Sequence, residues 1–357
     1  MPSPRTPSRT ALLMRSLCVV SAFVAGTSNA HATNAVSLFD TAVSRALPQT
    51  VMFSSSTGTL VVESTLDVEI RFPGSVSANA LGSMYRGTWN GEQAVVTRSG
   101  DHLDISVPRG DTMDVIGFSR DTEGSHRIDG ATANVAASKP AAQGIPVPRA
   151  RRAAGLASLV FWIFLHDDTL DVSRQHIHAS YVAWWIADMK RILPARRLWV
   201  IYSQQVEGMT DMPYGHPSTL KDWSQAVDAY AKREQLPRNR IDLDYKFMLL
   251  TKNDVVPGVS GLAWLGGHEA VATLKGRYSV VAHEFGHTLE AVHDHAEVRW
   301  SSGWPCETNL TSSTSVLRAN CYRYSAANER RMRAYAAKEW TVPVRLHPPG
   351  IPRYIID

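Results

Sequence analysis

Cysteine is scarce in this chain: three residues of 357, at positions 18, 306 and 321. None belongs to a C-x-x-C pair, which speaks against a zinc site built from thiolates. Long apolar runs are also missing. After the short run Leu17 to Ala25, no segment approaches the eighteen apolar residues that a membrane-crossing helix needs. Excess charge is lacking too. The formal net charge is +4, and removing Arg5, Arg9 and Arg15 leaves 4 − 3 = +1. A protein this close to neutrality has no electrostatic footprint for nucleic acid. Hydrophobic residues make up 44% of the chain, enough for ordinary cores in about two domains.

The first 32 residues read as a secretory leader. Three arginines precede an apolar run too short to span a bilayer, and small-residue cleavage patterns follow, ending at Ala30 and Ala32. The expectation is an exported protein, periplasmic or extracellular, with no stable membrane anchor. Cys18 would leave with the leader. Cys306 and Cys321 then remain, either as a disulfide worth about 3 kcal/mol or as two buried thiols.

Residues 33–138 contain short alternating runs, "TLVVES" (59–64), "LDVEIRF" (66–72) and "HLDISV" (102–107), between turn signals. They predict a small β-rich domain. An Ala/Pro/Arg-rich linker follows at 139–156, with Arg149, Arg151 and Arg152 suited to proteolytic nicking. The layout fits a propeptide that is cut away, with a mature start near Ala153; the alternative is a permanent accessory domain.

From residue 157 strands alternate with helices. "SLVFWIFL" (158–165), "RLWVIY" (197–202) and "DYKFMLL" (244–250) read as strands, and 171–193, 217–236 and 324–340 as helices, the last capped at Ser325. Such alternation predicts a largely parallel sheet. His176 and His178 fall on the first helix as packing or surface residues, and the pair Trp184-Trp185 as core. The tail 341–357, with four prolines, is extended and carries no recognisable chemistry.

Histidine supplies only 13 residues, yet "HEFGHTLEAVHDH" holds four of them, at 283, 287, 293 and 295. His283 and His287, four apart, share one face of a helix, a spacing at which two neutral imidazoles grip a zinc ion. Glu284 follows the first and stands where it can take a proton from water at the metal. His293 lies six residues beyond His287, off that helix face. A turn after Leu289 would bring it in as a third ligand and leave a fourth position open.

"HEFGHTLEAVHD" resembles the signature of the metzincin zinc proteases, and Asp294 resembles the residue that marks their reprolysin (adamalysin-like) branch. The resemblance implies a metzincin-like catalytic domain over 157–340, of α/β (α+β) class, with a mixed twisted sheet and an active-site helix. It implies one catalytic zinc ion on His283, His287 and His293, with Glu284 as general base. It also implies an antiparallel edge strand pairing with extended substrate, for which Gly261, Leu262 and Ala263 match the family's Gly-x-Ala core. Two positions depart from the pattern. Glu290 stands where the family turns the chain with glycine, at a cost of about 1 kcal/mol. Leu310 is the best counterpart of the methionine under the metal, and it preserves volume and apolar character. Family propeptides often silence the metal with a cysteine. None occurs between Cys18 and Cys306, so any latency here would use a carboxylate or steric cover.

The implied activity is zinc-dependent hydrolysis of peptide bonds in a protein or peptide substrate by a secreted, monomeric enzyme. The alternative is a secreted, protease-like binding module that holds zinc or peptide without cleaving it. Asp294 is expected to hold the turn, His295 to stand by, and Trp304 either to wall a side-chain pocket or to pack in the core.

Overall fold

Eight consecutive residues, Ser158–Leu165, are buried without exception. Their side chains alternate between two separate cores, as the period of two in a strand requires. Leu159, Phe161, Ile163 and Leu165 enter one core, and Val160, Trp162 and Phe164 the other. A strand covered on both faces is the signature of a parallel sheet between helical layers.

The structure is a computed structural model. It describes residues 34–53, 58–72, 81–110, 112–120, 122–127, 158–236, 243–301, 303–312, 317–337 and 354–356. The expected leader (1–32), the linker (139–156) and the tail apart from 354–356 lie outside the described residues.

The chain opens with α1 (Ala35–Val43), β1 (Gln49–Phe53) and the long β2 (Gly58–Arg71). A meander follows: β3 (Leu81–Trp89), β4 (Glu92–Ser99), β5 (His102–Arg109), β6 (Thr112–Ser119) and β7 (Thr122–Arg127). Then come β8 (Ser158–Leu165), α2 (Arg174–Ile177), a π-helical turn His178–Val182, α3 (Ala183–Ile192), β9 (Arg197–Gln204), α4 (Thr219–Arg233) and β10 (Leu243–Thr251). The last third holds β11 (Gly261–Trp264), β12 (Glu269–Thr273), α5 (Val280–Thr288), β13 (Val298–Ser301), β14 (Trp304–Glu307), β15 (Ala319–Asn320), α6 (Ala326–Ala337) and β16 (Tyr354–Ile356).

The strands β12, β10, β8 and β9 lie side by side and parallel, with β11 antiparallel outside β12. The parallel sheet read from the alternation is therefore present, as a mixed sheet once β11 is added. The helices α3 and α5 cover one face, where Trp185 stacks on Phe285 at 4.9 Å between centroids. The helix α4 covers the other through Trp223, Val227 and Tyr230.

The β-rich N-terminal region joins this sheet instead of standing apart. The strand β2 pairs in parallel with β9, from Val68 opposite Leu198 to Arg71 opposite Ile201. Val68, Ile70, Phe72, Met84 and Val95 are buried in the same core as α3 and α5. A separate core around Phe39, Phe53, Trp89 and Phe118 serves the meander itself. The runs 59–64 and 66–72, read as two strands, form one strand with register shifts between Val62 and Ser64 and between Leu66 and Ile70.

Candidate metal centre

The helix α5 ends at Thr288, and the chain turns directly after Leu289. The turn is a Schellman motif: Glu290 N–H donates to His287 O at 2.9 Å, and Ala291 N–H to Gly286 O at 3.0 Å. Glu290 takes the left-handed position with φ +70°. Glycine is the usual residue there, because a Cβ costs on the order of 1–2 kcal/mol. Compensation comes from α6. Arg331 donates through Nε to the Glu290 carbonyl at 2.7 Å, and its Nη2 lies 3.1 Å from the Glu290 carboxylate. On the other side Gly266, itself at φ +64°, makes room for that carboxylate, which a Cβ at 266 would overlap.

Two residues on, Asn328 clamps the backbone of Val292. Its Oδ1 accepts the Val292 N–H at 2.9 Å, and its Nδ2 donates to Val292 O at 3.0 Å. Asn328 is fully buried on α6, where its own N–H donates to the cap Ser325 Oγ at 3.1 Å. Turn and clamp together return His293 to the helix face. Its Nε2 lies 2.9 Å from Nε2 of His283 and 3.0 Å from Nε2 of His287.

Three imidazole nitrogens pointed at one place suit a cation. Tetrahedral zinc with Zn–N of about 2.0–2.1 Å separates its nitrogens by about 3.3 Å, a few tenths more than seen here. One Nε2–H proton cannot serve two facing lone pairs in line, whereas a metal ion serves all three. The tautomer of His287 is also set for ligation. Its Nδ1 pairs with Ala291 O at 2.8 Å, which keeps the proton on that nitrogen and leaves the Nε2 lone pair facing the other two rings. The residues present therefore fit a metal ion, and the three form a group able to hold one.

Glu284 is 1% exposed and points across to β11, against which α5 packs. A Cβ on Gly261 would overlap its carboxylate. The glycine at the head of "GLA" is thus required by the carboxylate that passes over it. Leu262 and Ala263 follow on β11 and are buried. Leu310 is fully buried and packs on α5: its Cδ2 would lie 3.0 Å from a Cβ at Gly286. Tyr324 closes the same side. Its hydroxyl donates to Ala282 O and accepts from Trp185 Nε1 at 2.9 Å. Burial pushes the Tyr324 phenol well above its ordinary range.

Other expected residues fall as follows. Asp294 is exposed, and His295 sits on the same short turn as His293, outside the triad. Trp304 is 58% exposed on β14, so it is not core. Cys306 and Cys321 form a disulfide joining β14 to the residue after β15. His178 is fully buried against Tyr202, with Nδ1 2.8 Å from the phenol oxygen, and burial holds its pKa down to about 3. Reading along the sequence misses Arg331, Asn328 and Gly266. A polar Asn at a core position of α6, three residues before an arginine on the same face, was the available signal.

No family model matches the sequence, and no curated protein matches it. Among solved structures the chain is similar to metalloproteinase-II from Bacteroides fragilis. The TM-score is 0.55 at 15% identity, covering 85% of this chain and 96% of that one. At that identity the likeness concerns the fold, which is metalloproteinase-like.

Proposed function

We propose that the chain is an exported zinc metalloendopeptidase. The observation that carries the reading is the convergence of His283, His287 and His293, with Glu284 next to His283 in the chain and its carboxylate over Gly261. The three histidines would hold the ion through Nε2. Zinc, when bound, supplies a Lewis acid that acidifies water and polarises a carbonyl.

The rest is the work of this chain's own residues. Glu284, nearly excluded from solvent, takes a proton from the attacking water and hands it to the leaving amine. Leu262 and Ala263 offer backbone groups on the outer edge of β11 to an extended peptide. Asn328 and Arg331 hold the turn that places His293 and are positioning residues. The adamalysin-like assignment rests on Asp294 alone. Export is supported by the leader-like start and agrees with the Cys306–Cys321 disulfide. No helix among the described residues is long and apolar enough to cross a membrane. The shared strand pairing of β2 and β9 favours an N-terminal region that stays with the catalytic half after any cut in the linker.

The test compares casein hydrolysis and zinc content in the wild type, Glu284→Ala and His287→Ala. Wild type should hold close to one zinc and cleave. Glu284→Ala should hold zinc and lose about a hundredfold or more in rate, and His287→Ala should lose both. Equal hydrolysis by wild type and Glu284→Ala removes the hydrolase reading. Zinc and peptide binding without cleavage by wild type moves the protein to the binding-module alternative.

A further inference from the structure

The outer edge of β11 is already taken. The strand β16, from the C-terminal tail, pairs with it in antiparallel register: Tyr354 opposite Trp264, Ile355 opposite Ala263, Ile356 opposite Leu262. Two of the three residues assigned above to substrate therefore pair with the protein's own chain. The direction is informative as well. From Tyr354 to Ile356 the tail advances along β11 toward Gly261, the residue covered by the Glu284 carboxylate. It thus approaches the general base with its C-terminal end leading, as the part of a substrate before the cleaved bond would in antiparallel pairing.

The sequence makes this segment suited to the task. Pro343, Pro348, Pro349 and Pro352 precede it and cannot donate to a ladder, whereas Tyr-Ile-Ile is three strand-forming residues in a row. One strand edge has a single set of outward N–H and C=O groups and can serve one partner at a time.

We propose that residues 354–356 are an intramolecular competitor for the peptide-binding edge, so that the chain rests in a self-blocked state. Their sequence also indicates the substrate class: extended peptides with aromatic and β-branched residues just before the cleaved bond. This rests on the peptidase reading of the same site. Tethering makes the block effective with few contacts. A tethered segment has an effective concentration of about 1 mM, so an intrinsic affinity of about 0.1 mM keeps it in place roughly nine-tenths of the time. Freeing the edge then raises kcat/KM about tenfold.

The experiment uses three zinc-loaded chains: the full chain, a chain ending at Arg353, and the full chain with Ile355→Pro and Ile356→Pro. The double substitution removes N–H groups from both sides of β16, whichever side faces β11, and keeps the tail's length. Amide exchange over 259–266 reports occupancy of the edge, and exchange over 158–165 and 243–251 reports integrity of the fold. Cleavage of a fluorogenic peptide with Tyr-Ile-Ile before its scissile bond reports activity. In the altered chains exchange at 259–266 should rise with the other segments unchanged, and kcat/KM should rise about tenfold. Added Arg-Tyr-Ile-Ile-Asp peptide should reverse both effects in the truncated chain. If exchange at 259–266 is the same in all three chains, the tail does not occupy the edge and the proposal fails. If Glu284-dependent cleavage is equal in all three, the tail is no inhibitor and the peptidase reading stands. If the protection changes as expected while no chain cleaves, the peptidase reading falls and self-blocking falls with it, leaving only the pairing.

Discussion

Arg331 holds Glu290 twice, by its carbonyl at 2.7 Å and by its carboxylate at 3.1 Å. This explains how a glutamate can stand at φ +70° in a turn that ordinarily uses glycine. The two partners are not equivalent. Arg331→Ala removes one donor from a nearly buried carboxylate and one from the carbonyl of the same residue, which costs on the order of 2 kcal/mol after discounting for partial exposure. Glu290→Gly removes the backbone strain along with the pair, so its stability should stay within about 1 kcal/mol of wild type. Thermal unfolding of both variants checks this. An unperturbed Arg331→Ala would mean that the turn does not depend on this pair, and equal losses would mean that relieving the strain at position 290 contributes nothing.

Asn328 should matter for metal affinity more than for folding. Asn328→Leu keeps the volume and removes both hydrogen bonds to Val292, so His293 loses its fixed position relative to His283 and His287. Supporting contacts of this kind typically change metal affinity by about 10–100-fold. Competition with a chromogenic zinc chelator measures it, with circular dichroism as the control for folding. Wild-type affinity in a folded Asn328→Leu protein would show the clamp to be irrelevant to the triad.

Gly261→Ala separates the base from the metal. The added methyl occupies the space of the Glu284 carboxylate, whose Oε1, Cδ and Cγ are its nearest neighbours. Zinc stoichiometry should hold while the rate falls by about two orders of magnitude, the typical worth of a placed general base. Activity within twofold of wild type would mean that Glu284 does not need its present position.

The local part of this site could be read from residue spacing, because a helix face repeats every three to four residues and a third histidine off that face demands a turn. The run Ser158–Leu165 was legible for a similar reason, its length and unbroken apolarity matching a strand buried on both sides. What could not be read are partners far along the chain. Asn328 and Arg331 act on residues 36 and 41 positions earlier. The pairing of β2 with β9 depends on which edges meet in space, which periodicity does not encode. The π turn His178–Val182 has the same apolar pattern as the helices flanking it and so could not be distinguished. The tail, read as chemically silent, proved to pair with the very strand expected to take substrate.

Asp104 gives a pH prediction away from the metal. It lies on β5, opposite Thr97 and Gly117, buried, and its Oδ2 has no hydrogen-bond partner among the described residues. Burial raises its pKa from 3.8 to about 7. A carboxyl raised in the folded state binds more protons there than in the unfolded chain between those two values. Its contribution to stability therefore falls as pH rises from about 4 to 7 and stays low above. A rise of that size corresponds to a ceiling of roughly 4 kcal/mol. Asp104→Asn keeps the shape of the neutral acid and removes the charge. Its melting temperature should exceed that of wild type at pH 8 and match it near pH 4. Parallel melting curves for the two proteins across that range would show that Asp104 reaches solvent, and with it that the β4–β5–β6 face is open to water.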